Sequence, residues 1–265
     1  MGYKVKLYHL YPDAMNLYGD FGNVLALQKR CQWRNIGFEI VNVKIGDQIN
    51  FKDADIIYMG GGQDRGQKII QNDLKKRKLE IQSRIESGLV ALTICGGFQL
   101  FGKYFKTKEG EEISGIEVFD ATTVAGNKRF IGNVVVDISA TTSKWAEKFK
   151  FKNLESPVTT LVGFENHSGL TKIGSNTEPL GSVIRGFGNM GDGGYEGGWY
   201  KNAIGTYLHG SLLPKNPWLA DHLIEVALMY RYGSPIPLEK IDDSLEIAAH
   251  ESAIERAKTA KTLSI

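Results

Sequence analysis

Leu89-Val90-Ala91-Leu92-Thr93-Ile94 is an almost unbroken apolar run, and it stops at Cys95-Gly96-Gly97. A strand apolar on both faces has to be covered on both, which is the situation of an inner strand in a parallel sheet with helices above and below. Ile56-Ile57-Tyr58-Met59 is a second such run, closed by Gly60-Gly61-Gly62. The surrounding pattern is strand-like at 4–10, helix-like at 22–35, strand-like at 38–43 and 55–59, helix-like at 67–86 and strand-like at 89–94. That alternation is the rhythm of βαβ units and predicts an α/β fold with a mostly parallel central sheet flanked by helices. The second half is less regular. Strands are expected at 134–138, 159–164 and 203–208, a glycine-rich surface loop at 186–198, and helices at 217–232 and 238–260 on either side of Pro235-Ile236-Pro237. The expected organisation is one domain over 1–234 with a helical extension, 235–265, packed on it.

Charge narrows the function classes. The net charge is +2 and charged residues are 23% of the chain, so no strong pull toward nucleic acid or an anionic membrane follows. The Lys and Arg residues near the end of the chain alternate with Glu and Asp at helical spacing, as on a solvated helix face. There is no sustained apolar segment at the start and none long enough to span a bilayer. Two cysteines, Cys31 and Cys95, make neither a disulfide framework nor a cysteine-rich zinc site, which points to a reducing compartment and a cytoplasmic protein. Cys31 lies in an amphipathic run and reads as a small buried thiol.

Cys95 is different. It sits where an inner strand turns into a helix, between the strand and two glycines, which is the arrangement of a nucleophile elbow. Glycines there relieve crowding and let backbone N–H groups face a reacting carbonyl. A helix N-terminus also lowers a thiol pKa from its free value of about 8.5. A thiolate nucleophile needs a base, and the sequence offers five histidines: His9, His167, His209, His222 and His250. His222 and His250 fall in helical segments and His9 near the end of the first strand. His167 and His209 fall where strands end, and His209, following the apolar run 203–208, is the better base, because the carboxyl ends of parallel strands form the site crevice. Gly60-Gly61-Gly62 ends a neighbouring strand. The N–H groups of Gly61 and Gly96 are therefore the expected oxyanion hole, at about 3 kcal/mol per donor. A phosphate loop is the rival for this segment, but no Gly-Lys-Ser or Gly-Lys-Thr closes it and no Gly-x-Gly-x-x-Gly opens the first helix.

Cys95-Gly96-Gly97-Phe98-Gln99-Leu100, preceded by Gly60-Gly61-Gly62 and followed by Tyr207-Leu208-His209-Gly210, resembles the class I glutamine amidotransferases of the cobyric acid synthase branch. Tyr18-Gly19-Asp20-Phe21-Gly22-Asn23 and Gly163-Phe164-Glu165-Asn166-His167 bring it nearer to the stand-alone glutaminase subunits of lipid II isoglutaminyl synthases within that branch. The resemblance covers most of the chain and implies a flavodoxin-like fold. It also implies hydrolysis of L-glutamine without metal or organic cofactor. The ammonia would pass to a Mur-ligase-like, ATP-dependent partner of the MurT type, in a heterodimer that amidates the D-glutamate of lipid II. On the same grounds Arg129 matches the arginine that holds the substrate, a guanidinium being a planar fork suited to a carboxylate. Gln99, one helical turn after Cys95, would face the same pocket.

The family's usual acid two residues after the histidine is missing, since Gly210-Ser211-Leu212 follows His209. A Cys–His dyad is therefore expected, with an orienting carboxylate from Glu165, Asp192 or the partner. Direct delivery of ammonia calls for an apolar contact surface, for which the regions of Trp199-Tyr200 and Trp218 are candidates, though aromatics there suit a core equally. Other readings stay open: an amidotransferase serving a cobyric-acid-type ligase, a stand-alone γ-glutamyl C–N hydrolase, or a non-catalytic binding module.

Overall fold

The computed structural model describes residues 2–149 and 159–265. In the first half the chain forms β1 (Lys4–Leu10), α1 (Phe21–Gln32), β2 (Gly37–Val43), β3 (Ile56–Met59), α2 (Asp64–Lys76), α3 (Lys78–Glu86), β4 (Val90–Ile94) and α4 (Gly96–Phe101). There follow β5 (Tyr104–Lys106), β6 (Glu112–Ser114), β7 (Ala121–Asp137), α5 (Ser139–Phe149), β8 (Thr160–Ile173), β9 (Gly181–Arg185) and β10 (Tyr195–Glu196). The chain ends with β11 (Gly198–Tyr200), β12 (Ala203–Thr206), α6 (Pro217–Tyr232), α7 (Ser244–Thr259) and β13 (Leu263–Ser264).

The expected parallel sheet is present, in the order β11-β12-β4-β3-β1-β2, parallel throughout except at the β11 edge. All of β3, β4 and β12 is buried, so the apolar runs at 56–59 and 89–94 do lie in the middle of this sheet. Two apolar clusters cover its faces. One carries Leu7, Ile56, Leu92, Leu223 and Leu228, and the other Leu10, Ile57, Met59, Ala91 and Phe98.

A second sheet, absent from the sequence-based expectation, accounts for the irregular middle of the chain. It runs β10-β9-β7-β5-β6, with β8 and β13 also paired to β7. The strand expected at 134–138 is only the end of the 17-residue β7, and the one expected at 159–164 the start of the 14-residue β8. Their shared ladder breaks register between Ala125 and Phe130, which interrupts the alternation that marks a strand. The helix expected at 67–86 is two helices meeting at Arg77, whose guanidinium reaches Asp73 at 2.8 Å and the Asp47 carbonyl at 2.9 Å. The last helix begins at Ser244 rather than at 238, and the segment after it is a strand rather than more helix.

A charge cluster fastens α1 to α6 and to the start of α7. Arg30, 3% exposed, donates to Asp221 and to Asp243, each at 2.6 Å, and Arg34 donates to Asp221 at 2.7 Å. Removing the Arg30 cation would leave the partly buried Asp243 without its guanidinium and Asp221 held by Arg34 alone. Arg30→Ala is therefore expected to destabilise the protein by about 3 kcal/mol, read from the urea midpoint at unchanged m value. A loss below about 1 kcal/mol would mean that the cluster behaves as an ordinary surface pair. Among the described residues, no helix is long and apolar enough to cross a membrane.

Candidate active site

The carboxyl ends of β3, β4 and β12 come side by side, and each delivers one part of a pocket of about 450 Å³. From β4 comes Cys95, held at φ 50° and ψ −105°, a left-handed conformation costly for a residue with a Cβ. Its N–H donates to the Thr206 carbonyl on β12 at 2.7 Å, and its carbonyl accepts the Gln99 N–H at 2.9 Å. The turn is therefore pinned from both sides. It can be this sharp because glycine follows: a Cβ on Gly96 would stand 2.7 Å from the Gly62 carbonyl oxygen and one on Gly97 2.6 Å from that of Met59.

Beyond β12, His209 exchanges backbone hydrogen bonds with Phe164 of β8, its N–H donating at 2.8 Å. The imidazole is fully buried, and Nδ1 lies 3.1 Å from each carboxylate oxygen of Asp20. Nε2 has no oxygen or nitrogen partner and is left for the pocket that Cys95 also lines. Burial by itself would pull the His209 pKa down. The charge of the Cys95 sulfur and the hydrogen bond to Asp20 outweigh it, so the pKa is pushed up to about 10.

The carboxylate at His209 is Asp20, where the sequence pointed to Glu165, Asp192 or the partner. It is fully buried at the start of α1, 189 positions from His209 in sequence. The six residues from Tyr18 to Asn23 join this end of α1 to the His209 segment. Tyr18 sets its ring edge-on to the His209 ring at 4.9 Å, Ser211 Oγ donates to the Gly19 carbonyl at 2.7 Å, and the Leu213 N–H donates to Asn23 Oδ1 at 2.8 Å. The carboxylates proposed from sequence are engaged elsewhere. Glu165 accepts the Phe187 and Gly188 N–H groups at 2.8 and 3.1 Å, and Asp192 accepts that of Gly194 at 3.0 Å. The Glu165 bonds also tie the first residues of the glycine-rich 186–198 segment down onto β8.

Gly61 is corrected too. Its N–H donates to Asp20 Oδ2 at 2.8 Å and is not available to a substrate. It is needed for close approach instead, since a Cβ there would stand 2.7 Å from His209 Cε1. The next N–H, that of Gly62, and the N–H of Gly96 have no hydrogen-bond partner among the described residues. They lie together, because a Cβ on Gly96 would be 2.9 Å from the Gly62 nitrogen.

Gln99 and Arg129 line the same pocket. Gln99 is locked by a chain of side-chain hydrogen bonds: Gln67 Nε2 donates to its Oε1 at 2.8 Å, and its own Nε2 donates to the Tyr207 hydroxyl at 3.0 Å. That hydroxyl lies 2.6 Å from Thr171 Oγ1, and the Tyr207 ring stacks on His167 at 3.9 Å. Arg129 is exposed at the mouth, its Nε donating to Asn166 Oδ1 at 2.7 Å and an Nη to the Tyr18 hydroxyl at 3.0 Å. Glu165, Asn166 and His167 thus hold the glycine-rich loop, Arg129 and Tyr207 in turn.

The remaining sequence candidates lie elsewhere. His9 is buried, and burial lowers its pKa to about 4. His222 is in α6, and His250 in α7 lies 2.9 Å from Thr160 Oγ1. Cys31 is fully buried, and burial pushes its thiol up to about 12. Trp199 and Trp218 pack against the core rather than forming a surface patch. Exposed apolar side chains on α1 and the turn before it are Tyr18, which lines the pocket, Phe21 and Leu25.

Residues 6–217 match the family of the CobB/CobQ-like glutamine amidotransferase domain. Over 259 residues the chain is 38% identical to the lipid II isoglutaminyl synthase (glutamine-hydrolyzing) subunit GatD of Staphylococcus aureus, covering 98% of each protein. It is 37% identical to the subunit of the same name from Streptococcus pneumoniae, over 96% of this chain and 92% of that one. In fold it is similar to a glutamine amidotransferase from Thermotoga maritima, with a TM-score of 0.51 at 16% identity over 96% of this chain and 92% of that one. The strand-end cysteine, the glycine loop and the histidine all fall inside the matched span, and the chain belongs to the CobB/CobQ-like glutamine amidotransferase family.

Proposed function

We propose that the protein hydrolyses L-glutamine to glutamate and ammonia through a thioester on Cys95, and that the ammonia is consumed by an ATP-dependent ligase bound to it. The observation that carries this reading is the buried line from Asp20 through His209 Nδ1 to an Nε2 without oxygen or nitrogen partner in the pocket of Cys95. The Cys95 sulfur attacks the side-chain amide carbon. The carbonyl oxygen, now negative, is received by the Gly62 and Gly96 N–H groups, each worth about 3 kcal/mol in such a role. His209, kept protonated by its raised pKa, gives its proton to the departing nitrogen, and ammonia leaves. Water then loses a proton to the neutral imidazole and attacks the thioester. The C–S bond breaks with its electron pair on sulfur, glutamate is released, and the thiolate–imidazolium pair is restored. Arg129 receives the substrate α-carboxylate, and Gln99 fixes the pocket wall opposite.

Similarity to the GatD subunits over nearly the whole chain extends this reading to the ligase. The partner is a Mur-ligase-like subunit, the complex a heterodimer, and the amidated group the D-glutamate carboxyl of lipid II. Ammonia is protonated once it escapes to bulk water, so the two sites need a shared, closed path. A reduced thiol and an ATP-using ligase both call for the cytoplasm. The test is glutamate release from glutamine by the purified chain, alone and with a Mur-ligase-like partner and ATP, before and after thiol alkylation. Release that rises with the partner and vanishes on alkylation is the expected result. A complex that consumes ATP on added ammonium but releases no glutamate from glutamine would sink the glutaminase reading.

A further inference from the structure

The segment carrying Arg129 is the least supported part of β7. The β7–β8 ladder pairs Ala125 with Gly169 and resumes only at Phe130 with His167, so residues 126–129 stand in the register break. Support comes instead from the other edge. β13 pairs antiparallel with β7, Ser264 opposite Phe130 and Leu263 opposite Ile131. One residue further on, Ile265 grips Arg129 itself, for the Arg129 N–H donates to the Ile265 carbonyl at 2.6 Å and the Ile265 N–H donates to the Arg129 carbonyl at 3.1 Å. The strands touch closely here: a Cβ on Gly132 would lie 2.6 Å from Thr262 Cγ2.

β13 is in turn placed by α7, which is anchored to the body of the protein. The His250 ring lies between the Lys215 carbonyl and the Thr160 hydroxyl, at 2.9 Å from each. Near the end of α7, Arg185 Nε donates to the Ala257 carbonyl at 3.1 Å.

We infer that β13 and Ile265 are a positioning element of the glutamine site, setting the backbone of Arg129 so that its guanidinium meets the substrate carboxylate. This rests on the reading of Arg129 given above and assigns a role to the segment after α7. A guanidinium held by its backbone on one side and by Asn166 and Tyr18 on the other is pre-organised. When the backbone is released, binding has to supply that order. Substrate affinity should therefore suffer, while the chemistry at Cys95 is left alone.

Ile265→Pro deletes the one N–H that Ile265 gives to Arg129, Ile265→Val keeps it, and ending the chain at Lys261 removes the whole strand. In the complex with its ligase partner, both disruptive changes are expected to raise KM for glutamine about tenfold, with kcat, the melting temperature and the rate of Cys95 alkylation unchanged. Ile265→Val should match the wild type. In an Arg129→Ala background the same changes should add nothing, because the guanidinium they position is gone. A KM unchanged by Ile265→Pro, or a rise that persists in the Arg129→Ala background, overturns the inference. If Arg129→Ala itself leaves KM unchanged, the assignment of Arg129 fails first, and that outcome is separable from the other two.

Discussion

Asp20→Asn is expected to lower kcat for glutamate release on the order of 10³-fold, by analogy with the loss when the orienting acid of a catalytic triad becomes an amide. The surroundings of Asp20 dictate how an asparagine would sit. One carboxylate oxygen accepts the Gly61 N–H at 2.8 Å, and both oxygens lie 3.1 Å from His209 Nδ1. The amide oxygen must stay with the Gly61 donor, so the NH₂ turns to Nδ1 and forces that nitrogen to accept. The proton of the neutral ring then moves to Nε2, the wrong nitrogen for the base that activates water.

The pH profile should move as well. The His209 pKa is pushed up to about 10, so the acid form needed by the leaving nitrogen is present at neutral pH and is lost as pH rises through that value. Without the Asp20 carboxylate one of the two supports of the raised pKa is lost while the Cys95 charge remains, so the alkaline limb should shift to lower pH. The linked stability has the same sign: it is complete below about 6.5 and lost as pH rises through the folded value. Nuclear magnetic resonance titration of the His209 ring, alongside initial rates, checks both effects. Cys95→Ser, expected to show only background release, sets the floor. An Asp20→Asn protein that keeps rate and alkaline limb within threefold and half a pH unit of wild type would leave Asp20 a structural carboxylate only.

Gly96→Ala should cost on the order of 10²-fold to 10³-fold in kcat, the range seen when one oxyanion donor is removed. The added methyl would meet the Gly62 carbonyl oxygen at 2.7 Å, the Gly62 nitrogen at 2.9 Å and Gln67 Nε2 at 3.1 Å. Two of these are backbone atoms that cannot swing aside, so the Gly60–Gly62 turn must move off the elbow and take the Gly62 N–H with it. Alkylation by iodoacetamide passes through no tetrahedral oxyanion. The variant should therefore alkylate Cys95 near the wild-type rate while failing to turn over glutamine. Parallel loss of both activities would instead mean a collapsed elbow, and near-normal turnover would mean that the oxyanion sits elsewhere.

Particular residues show where the reading of the sequence stops. Cys95, His209 and the glycine turn could be placed together because each follows an apolar run, and apolar runs buried on both faces must be neighbours in one sheet. For Gly61 the expectation of a free N–H fails. Successive N–H groups in a tight turn point different ways, and only the fold shows that the Gly61 donor is spent on Asp20. Asp20 had a signal, an acidic residue in a glycine-flanked turn just after the first strand, but nothing local in that motif names a histidine 189 positions away. The second sheet was missed for another reason: its central strand is broken by a register shift, and the four strands paired to it come from separate stretches of chain.

By itself the sequence determined the parallel sheet, the elbow and the approach of His209 to it, because periodicity and burial act over a few neighbouring residues. The tertiary structure decided which carboxylate orients the imidazole, which glycine N–H is free and what holds Arg129 in place. Those are pairings between distant segments, fixed by which buried donor finds which acceptor once the chain has closed.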